Sequence, residues 1–246
     1  MADSWDSIAD WYAQLLHAGS AMHDFARDRL LECLPACLEG QRIADIGCGE
    51  GLLTRAVAAR GASVVGIDPS PRMIAHARAA EEVRPTGAVF AVDDARVLDT
   101  IPGDSVDWVV AGLAMNNVPD LGAALRAVRR VLVVGGRLVF SIPHPCFEAP
   151  HASWTISEDG VRRRMVGEYA AEGFWRSTNP EGVRRAGNQH RMLGTYVSGL
   201  IDEGFAITAM REPLPDADVV AEQPQRAGLP PFLIVQTRLV GDQRCD

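Results

Sequence analysis

Three glycines, Gly47, Gly49 and Gly51, alternate with Cys48 and Glu50 directly after the run Ile43-Ala44-Asp45-Ile46. Glycine turns the chain through conformations closed to other residues and lets a ligand approach the backbone. Helical spacing follows from Leu52 to Arg60 and stops at Gly61, so the first turn offers unpaired backbone N–H groups. Ser63 to Ile67 then reads as a buried strand with Asp68 at its carboxyl end. An acid there, about 20 residues past the first glycine, can accept hydrogen bonds from both ribose hydroxyls. The chemistry this stretch supports is binding of an adenosine-containing ligand. A dinucleotide fingerprint, G-x-G-x-x-G, needs glycine at position 52, where the chain has Leu52. Asp45 is ill suited to a pyrophosphate and well suited to a cationic amino-acid moiety.

The D-x-G-x-G-x-G arrangement from Asp45 to Gly51, in its strand–turn–helix–strand–acid setting, resembles motif I of the class I S-adenosylmethionine (SAM) methyltransferases. The resemblance covers residues 40–145 and 193–240. It implies an α/β fold: a doubly wound, seven-stranded, mostly parallel sheet (Rossmann-like) with N-terminal helices and an inserted cap. It implies SAM as cofactor and S-adenosylhomocysteine (SAH) as product, held by Asp45, Gly47, Gly49, Asp68, Pro69, Met73, Asp94, Ala95 and Ala111. In that pattern Met73 packs on the adenine, Asp94 accepts from its amino group, and the Ala95 N–H reaches a ring nitrogen. The segment from Ala111 holds the methionine part by backbone carbonyls. Asp93 competes with Asp94 for this role, and paired acids after a strand also serve as helix caps. The stretch VRRVLVVGGRLVFSIPHP resembles motif III, with Val134 where a proline is usual. Relatives often carry a His where this chain has Asn116 beside Asn117, which weakens the case for a base there.

These residues need strands to carry them. Five buried-type runs within residues 41–143, the last being Arg137 to Ile142 after Gly135-Gly136, each read as followed by a helix. Right-handed crossovers make this a parallel sheet with the ligand outside the strands' carboxyl ends. Asp45, Gly47, Asp68, Asp94, Ala111 and His144 would meet along that edge. Residues 1–40 read as two helices, Trp5–Leu16 and Ser20–Leu38, lying over the site. Residues 144–192 break the alternation and read as a substrate cap, partly a hairpin around Glu158-Asp159-Gly160. Residues 193–246 complete the core with a helix, a strand through Met210, a proline-rich loop over 213–231, and a closing strand Phe232–Leu239.

Methyl transfer from a sulfonium is an in-line displacement, so positioning matters most and a base is needed only for a nucleophile that holds its proton tightly. His144, fixed between Pro143 and Pro145, is the favoured catalytic candidate, and Tyr12 the second. His190, Tyr169 and Glu168 are weaker ones. His144 can equally tie the cap to the sheet edge, and Tyr12 can be an aromatic staple. Arg162-Arg163-Arg164, with Arg184 and Arg185, fit a grip on an acidic substrate or a solvated hairpin face, and the interspersed acids favour the latter. The expected function is methylation of an O or N nucleophile on a small organic molecule. Its rivals are SAM binding without methyl transfer and an NAD-linked reductase.

Composition narrows the partners. The net charge of −8 disfavours nucleic acid, whose phosphates need a basic face. Hydrophobic content of 47% with charged content of 23% fits a globular protein, and no apolar run approaches membrane-spanning length. Cys33, Cys37, Cys48, Cys146 and Cys245 form no metal-binding pattern, so no metal is expected and reduced thiols point to the cytoplasm. A monomer or homodimer is expected.

Overall fold

The computed structural model describes residues 4–240, so Cys245 lies outside the described residues. The chain runs α1 (Ala9–His17), α2 (Ala21–Leu31), β1 (Arg42–Ile46), α3 (Leu52–Ala58), β2 (Ser63–Asp68), α4 (Pro71–Val83) and β3 (Val89–Val92). It continues with β4 (Val106–Gly112), α5 (Leu121–Val131) and β5 (Leu132–Pro143). The cap holds β6 (Ser153–Ile156), β7 (Arg162–Met165), β8 (Gly173–Trp175), a 3₁₀ turn (Val183–Ala186) and β9 (Asn188–His190). The chain closes with α6 (Leu193–Asp202), β10 (Phe205–Arg211), α7 (Ala217–Glu222) and β11 (Phe232–Leu239).

One seven-stranded sheet has the order β10-β11-β5-β4-β1-β2-β3. Strands β1 to β5 pair in parallel, and β11 runs antiparallel to β5 and β10. The parallel strands are apolar on both faces because helices cover both. Alternation sends Ile43, Trp108 and Val110 into one core layer, with Leu30, Val57 and Ile74. Ala44, Ile46, Val109 and Phe140 enter the other, with Leu125, Val128 and Leu200. α5 shows the rule for helices: Leu121, Ala124, Leu125, Val128 and Val131 form one buried stripe, and the Asp120 carboxylate accepts from the Ala123 N–H at its start. Ser70 caps α4 the same way through the Met73 N–H, with Pro71 in the first position.

Four elements differ from their sequence expectations. α2 ends at Leu31, not Leu38; Pro35 has no N–H and disfavours helix in the residue before it, so the chain leaves through turns that still bury Leu34 and Leu38. α1 begins at Ala9, and Trp5 to Ile8 form a turn in which the Ser4 hydroxyl accepts from the Ser7 N–H. β5 begins at Leu132: Val106 faces Leu132 while Trp108 faces Arg137, so Gly135-Gly136 sit in a bulge inside the strand rather than before it. Within 213–231, expected to be loop, Asp216 caps α7, and Val219 packs with Phe25 and Phe232. Among the described residues no helix is long and apolar enough to cross a membrane.

Candidate functional site

At the carboxyl ends of β1, β2 and β4 lies a cavity of about 730 Å³. Its floor is the sheet edge, and its roof is shared by the N-terminal segment (Trp5, Tyr12, Met22, His23) and the cap (Asn179, Val183, Arg184, Asn188). Asp6 and Asp10 hold the N-terminal segment to α4. Asp6 accepts from the Ser70 hydroxyl at 2.6 Å and the Arg72 N–H at 3.2 Å, and Asp10 pairs with Arg72 and His76.

At one end stands the glycine turn. Gly47, Gly49 and Gly51 all adopt positive φ, +67°, +55° and +86°. A Cβ on Gly47 would stand 2.4 Å from the Ala114 Cβ, and one on Gly51 2.7 Å from the Phe90 ring. One Asp68 oxygen accepts from the Gly49 N–H at 3.0 Å and the other from the Ser70 N–H at 2.8 Å. Burial pushes the Asp68 carboxyl up; those two bonds oppose it and the charge of Asp6 adds to it. Gly47, Gly49, Asp68, Pro69, Met73, Asp94 and Ala95 all line the cavity. The competing acid, Asp93, does not: it folds back to accept from the Thr100 hydroxyl and N–H at 2.5 and 2.8 Å. Asp94 is in the wall, bridged to Arg96 at 2.6 Å.

Two expected cofactor residues stand behind the wall. Asp45 is 1% exposed; as an inward-facing strand residue it accepts from the Thr54 hydroxyl at 2.6 Å. Its other oxygen has no partner in the protein. Burial, with a smaller push from Asp68, raises its pKa to about 7. Ala111 is in the core because β4 extends one residue further than expected, and the wall begins at Gly112 and Leu113.

His144 requires a correction. Its side chain is buried away from the cavity against Phe147, with rings 4.5 Å apart. Its Nδ1 accepts from the Cys146 N–H at 3.2 Å, and Nε2 faces Glu212 Oε1 at 2.8 Å. Both nitrogens are used in joining the start of the cap to the end of β10, and neither is free for a substrate. The flanking prolines fix the backbone but not the direction of the ring. His190 bonds the Tyr169 carbonyl at 2.8 Å, Tyr169 accepts from the Leu193 N–H, and Glu168 faces His151; none lines the cavity. Asn116 and Asn117 do line it. The Asn116 side-chain N–H donates to the Asn188 side-chain oxygen at 3.0 Å and the Asn116 backbone carbonyl accepts from the Gln189 N–H, stitching the end of β4 to β9.

Tyr12 lines the cavity, and burial together with Glu50 and Asp68 holds its phenol well above the ordinary tyrosine range. The raised value favours the protonated phenol, which can donate a hydrogen bond. His23, absent from the sequence candidates, packs edge-on to Tyr12 at 5.5 Å and lines the same wall. Burial pushes its pKa down, against Asp24, so the ring is neutral at neutral pH. Its Nδ1 lies 2.7 Å from the Ser20 hydroxyl. Ser20 at the start of α2 with His three residues on was the available sequence signal.

The other end of the cavity was also missed. Glu148, 4% exposed, faces three arginines: Arg226 at 2.7 Å on one oxygen, Arg184 at 2.9 Å and Arg164 at 3.2 Å on the other. Burial pushes its carboxyl up, but the arginines outweigh this and hold it below the ordinary range. Arg164 and Arg184 thus turn inward, while Arg162 and Arg163 stay on the exposed hairpin.

A family model described as "Methyltransferase domain" matches residues 44–140. A S-adenosylmethionine dependent methyltransferase from Mesorhizobium loti is similar in structure, with TM-score 0.74 and 33% identity over 90% of this chain and 99% of that one. The "Ubiquinone biosynthesis O-methyltransferase" of Bradyrhizobium sp. is 38% identical over 69% of this chain and 65% of that protein. The "Trans-aconitate 2-methyltransferase" of Methylobacterium radiotolerans is 29% identical over 92% and 82%. Other ubiquinone biosynthesis O-methyltransferases are spanned over 46% and 40% of their length.

Proposed function

Because the chain belongs to the family of SAM-dependent methyltransferases, we propose that it moves a methyl group onto an oxygen or nitrogen of a small organic acceptor. The observation that carries this reading is the pair of buried acids at the glycine turn. Among the described residues, Asp45 has an oxygen without a partner, and Asp45 and Asp68 both have raised carboxyls with no cation bonded to them. A cationic occupant of the cavity would meet Asp68 in the wall and act through space on Asp45 behind it, and SAM, which carries an ammonium and a sulfonium, fits. When bound, it supplies an electrophilic methyl carbon. Asp68 has lone pairs left for ribose hydroxyls, Asp94 and Ala95 fit the adenine edge, and Met73 its face. Tyr12 and His23 roof the cavity and exclude water. In the tautomer that donates from Nδ1 to the Ser20 hydroxyl, His23 would present Nε2 to take a proton from an acceptor hydroxyl. Residues 144–192 supply the acceptor side, and the relatives named as O-methyltransferases favour oxygen. Net charge of −8 supports a small-molecule acceptor over nucleic acid. Free thiols at Cys33, Cys37, Cys48 and Cys146 support a cytoplasmic setting.

The test is SAM consumption and SAH release across a panel of phenols, carboxylic acids and amines, with SAM binding measured by calorimetry. Asp68→Asn, which keeps the side chain's size, is expected to weaken SAM binding about tenfold through lost charge-assisted hydrogen bonds. Unchanged binding would remove Asp68 from the cofactor site. SAM bound but never turned over on any acceptor would instead favour a protein that uses SAM without methyl transfer.

Binding should also depend on pH. Asp45 is protonated below about pH 7 in the free protein, and a cation favours its carboxylate. SAM affinity is expected to rise with pH up to about 7, by at most about tenfold per unit, and then level off. Asp45→Asn should flatten this slope; a slope that persists in the variant assigns the titration elsewhere.

A further inference from the structure

Resting on the methyltransferase reading, we propose that the acceptor is an anion, and specifically a carboxylate, gripped by Arg184 and Arg226 at the cap end of the cavity. The cavity is charged oppositely at its two ends. The glycine-turn end carries Asp68 in the wall and Asp45 behind it, and the cation nearest in the wall, Arg96, is already bridged to Asp94. The cap end sets three guanidiniums against the single carboxylate of Glu148, an excess of two positive charges, and Arg184 and Arg226 line the cavity there.

Among the described residues no second carboxylate is paired with these three arginines. Arg164 uses its Nε on the Phe147 carbonyl and lies over the Trp154 ring, so it is the structural member. Arg226 gives one N–H to Glu148 and its Nε to Gln223, and Arg184 gives one terminal nitrogen to Glu148. A guanidinium has five N–H donors, so both wall arginines keep donors for a second acceptor. Placing three like charges on one buried carboxylate is costly unless another anion joins them. Arg164 has its pKa lowered chiefly by burial; Glu148 opposes this, and Arg226 and Arg184 add smaller downward pushes.

Geometry favours carboxylate over other anions. Arg184 and Arg226 approach opposite oxygens of one carboxylate at 2.9 and 2.7 Å, so their spacing is already set to a group of that width. A second carboxylate, from the acceptor, sets two carboxylates against the three guanidiniums and reduces the excess to one, with Arg164 remaining on Glu148. The acceptor's charge then fixes its far end and leaves its nucleophile directed toward the glycine turn. Arg184 and Arg226 are positioning residues; they donate to the acceptor and take no part in the displacement.

The test uses the full chain with SAH bound and two matched pairs of probes, 4-hydroxybenzoate against 4-hydroxybenzamide and glutarate against glutaramide, followed by calorimetry. Each acid is expected to bind at least about tenfold more tightly than its amide, on the scale of a charge-assisted hydrogen bond. Arg184→Gln and Arg226→Gln, each of which leaves Glu148 paired with two arginines, should remove that preference while SAH binding stays as in the unaltered protein. Arg226→Lys should restore part of it. Acid and amide binding alike in both pairs, or a preference that survives both substitutions, overturns the proposal. Inorganic phosphate displacing 4-hydroxybenzoate at lower concentration than glutarate does overturns the choice of carboxylate. Failure of SAH to bind the unaltered protein would instead strike at the methyltransferase reading beneath it.

Discussion

Glu148→Gln is expected to lower stability by about 3 kcal/mol, near the lower end for breaking a buried ion pair because Arg184 and Arg226 keep some access to solvent. The side chain keeps its volume, so the loss is electrostatic: three guanidiniums at 9%, 26% and 18% side-chain exposure are left without their counter-ion. The sign with pH is fixed by the direction of the Glu148 shift. Its folded pKa lies below the ordinary value of 4.5, so its contribution is complete above that value and is lost as pH falls through the lower, folded one. Urea unfolding at a series of pH values should therefore show unaltered and variant proteins converging on the acid side of pH 4.5. A gap of constant size down to the lowest pH at which both fold would mean that the charge of Glu148 is not what stabilises.

Gly47→Ala is expected to cost about 3 kcal/mol and to abolish measurable SAM binding. Part is the left-handed backbone, about 1 kcal/mol for a residue with a Cβ. The larger part is overpacking, since that Cβ would stand 2.4 Å from the Ala114 Cβ. Gly49→Ala separates the two. Gly49 is also at positive φ, but the nearest atom to its added Cβ is a Tyr12 ring carbon at 3.9 Å, so only the backbone cost of about 1 kcal/mol applies. Ala114→Gly in the Gly47→Ala background removes the colliding atom and should recover most of the loss, measured as a double-mutant cycle. If Gly47→Ala and Gly49→Ala cost the same, the close approach of the two segments is not what selects glycine there.

The glycine turn, both flanking strands and the capped start of α4 were legible because each is a local matter of apolar runs, turn residues and caps. The end of α2 was not legible in this way: helical spacing carries the expected helix to Leu38, across the break that Pro35 imposes. What local pattern leaves open is the direction of a side chain. Asp45 and Ala111 lie on the right strands but face inward, and His144 lies at the right edge but turns away. Glu148 was illegible for another reason: its partners are 16 to 78 positions along the chain, on elements of no shared period. Arg164 and Arg184 carried a weak signal, a grip on an acidic substrate outweighed by the interspersed acids, whereas Arg226 and Glu148 carry none until folding brings them together.

That convergence also bears on descent. Arg164 comes from a cap hairpin, Arg184 from a 3₁₀ turn, and Arg226 from the connection between β10 and β11, so three separate stretches of the chain meet on one side chain. A lineage that exchanged β6 to β9 for another insertion would lose two guanidiniums and keep the third opposite Glu148. The remaining pair would be neutral, and the chamber would be open to uncharged guests. In such a scaffold, new preferences arise by altering the ratio of arginines to one acid, with the sheet beneath left untouched.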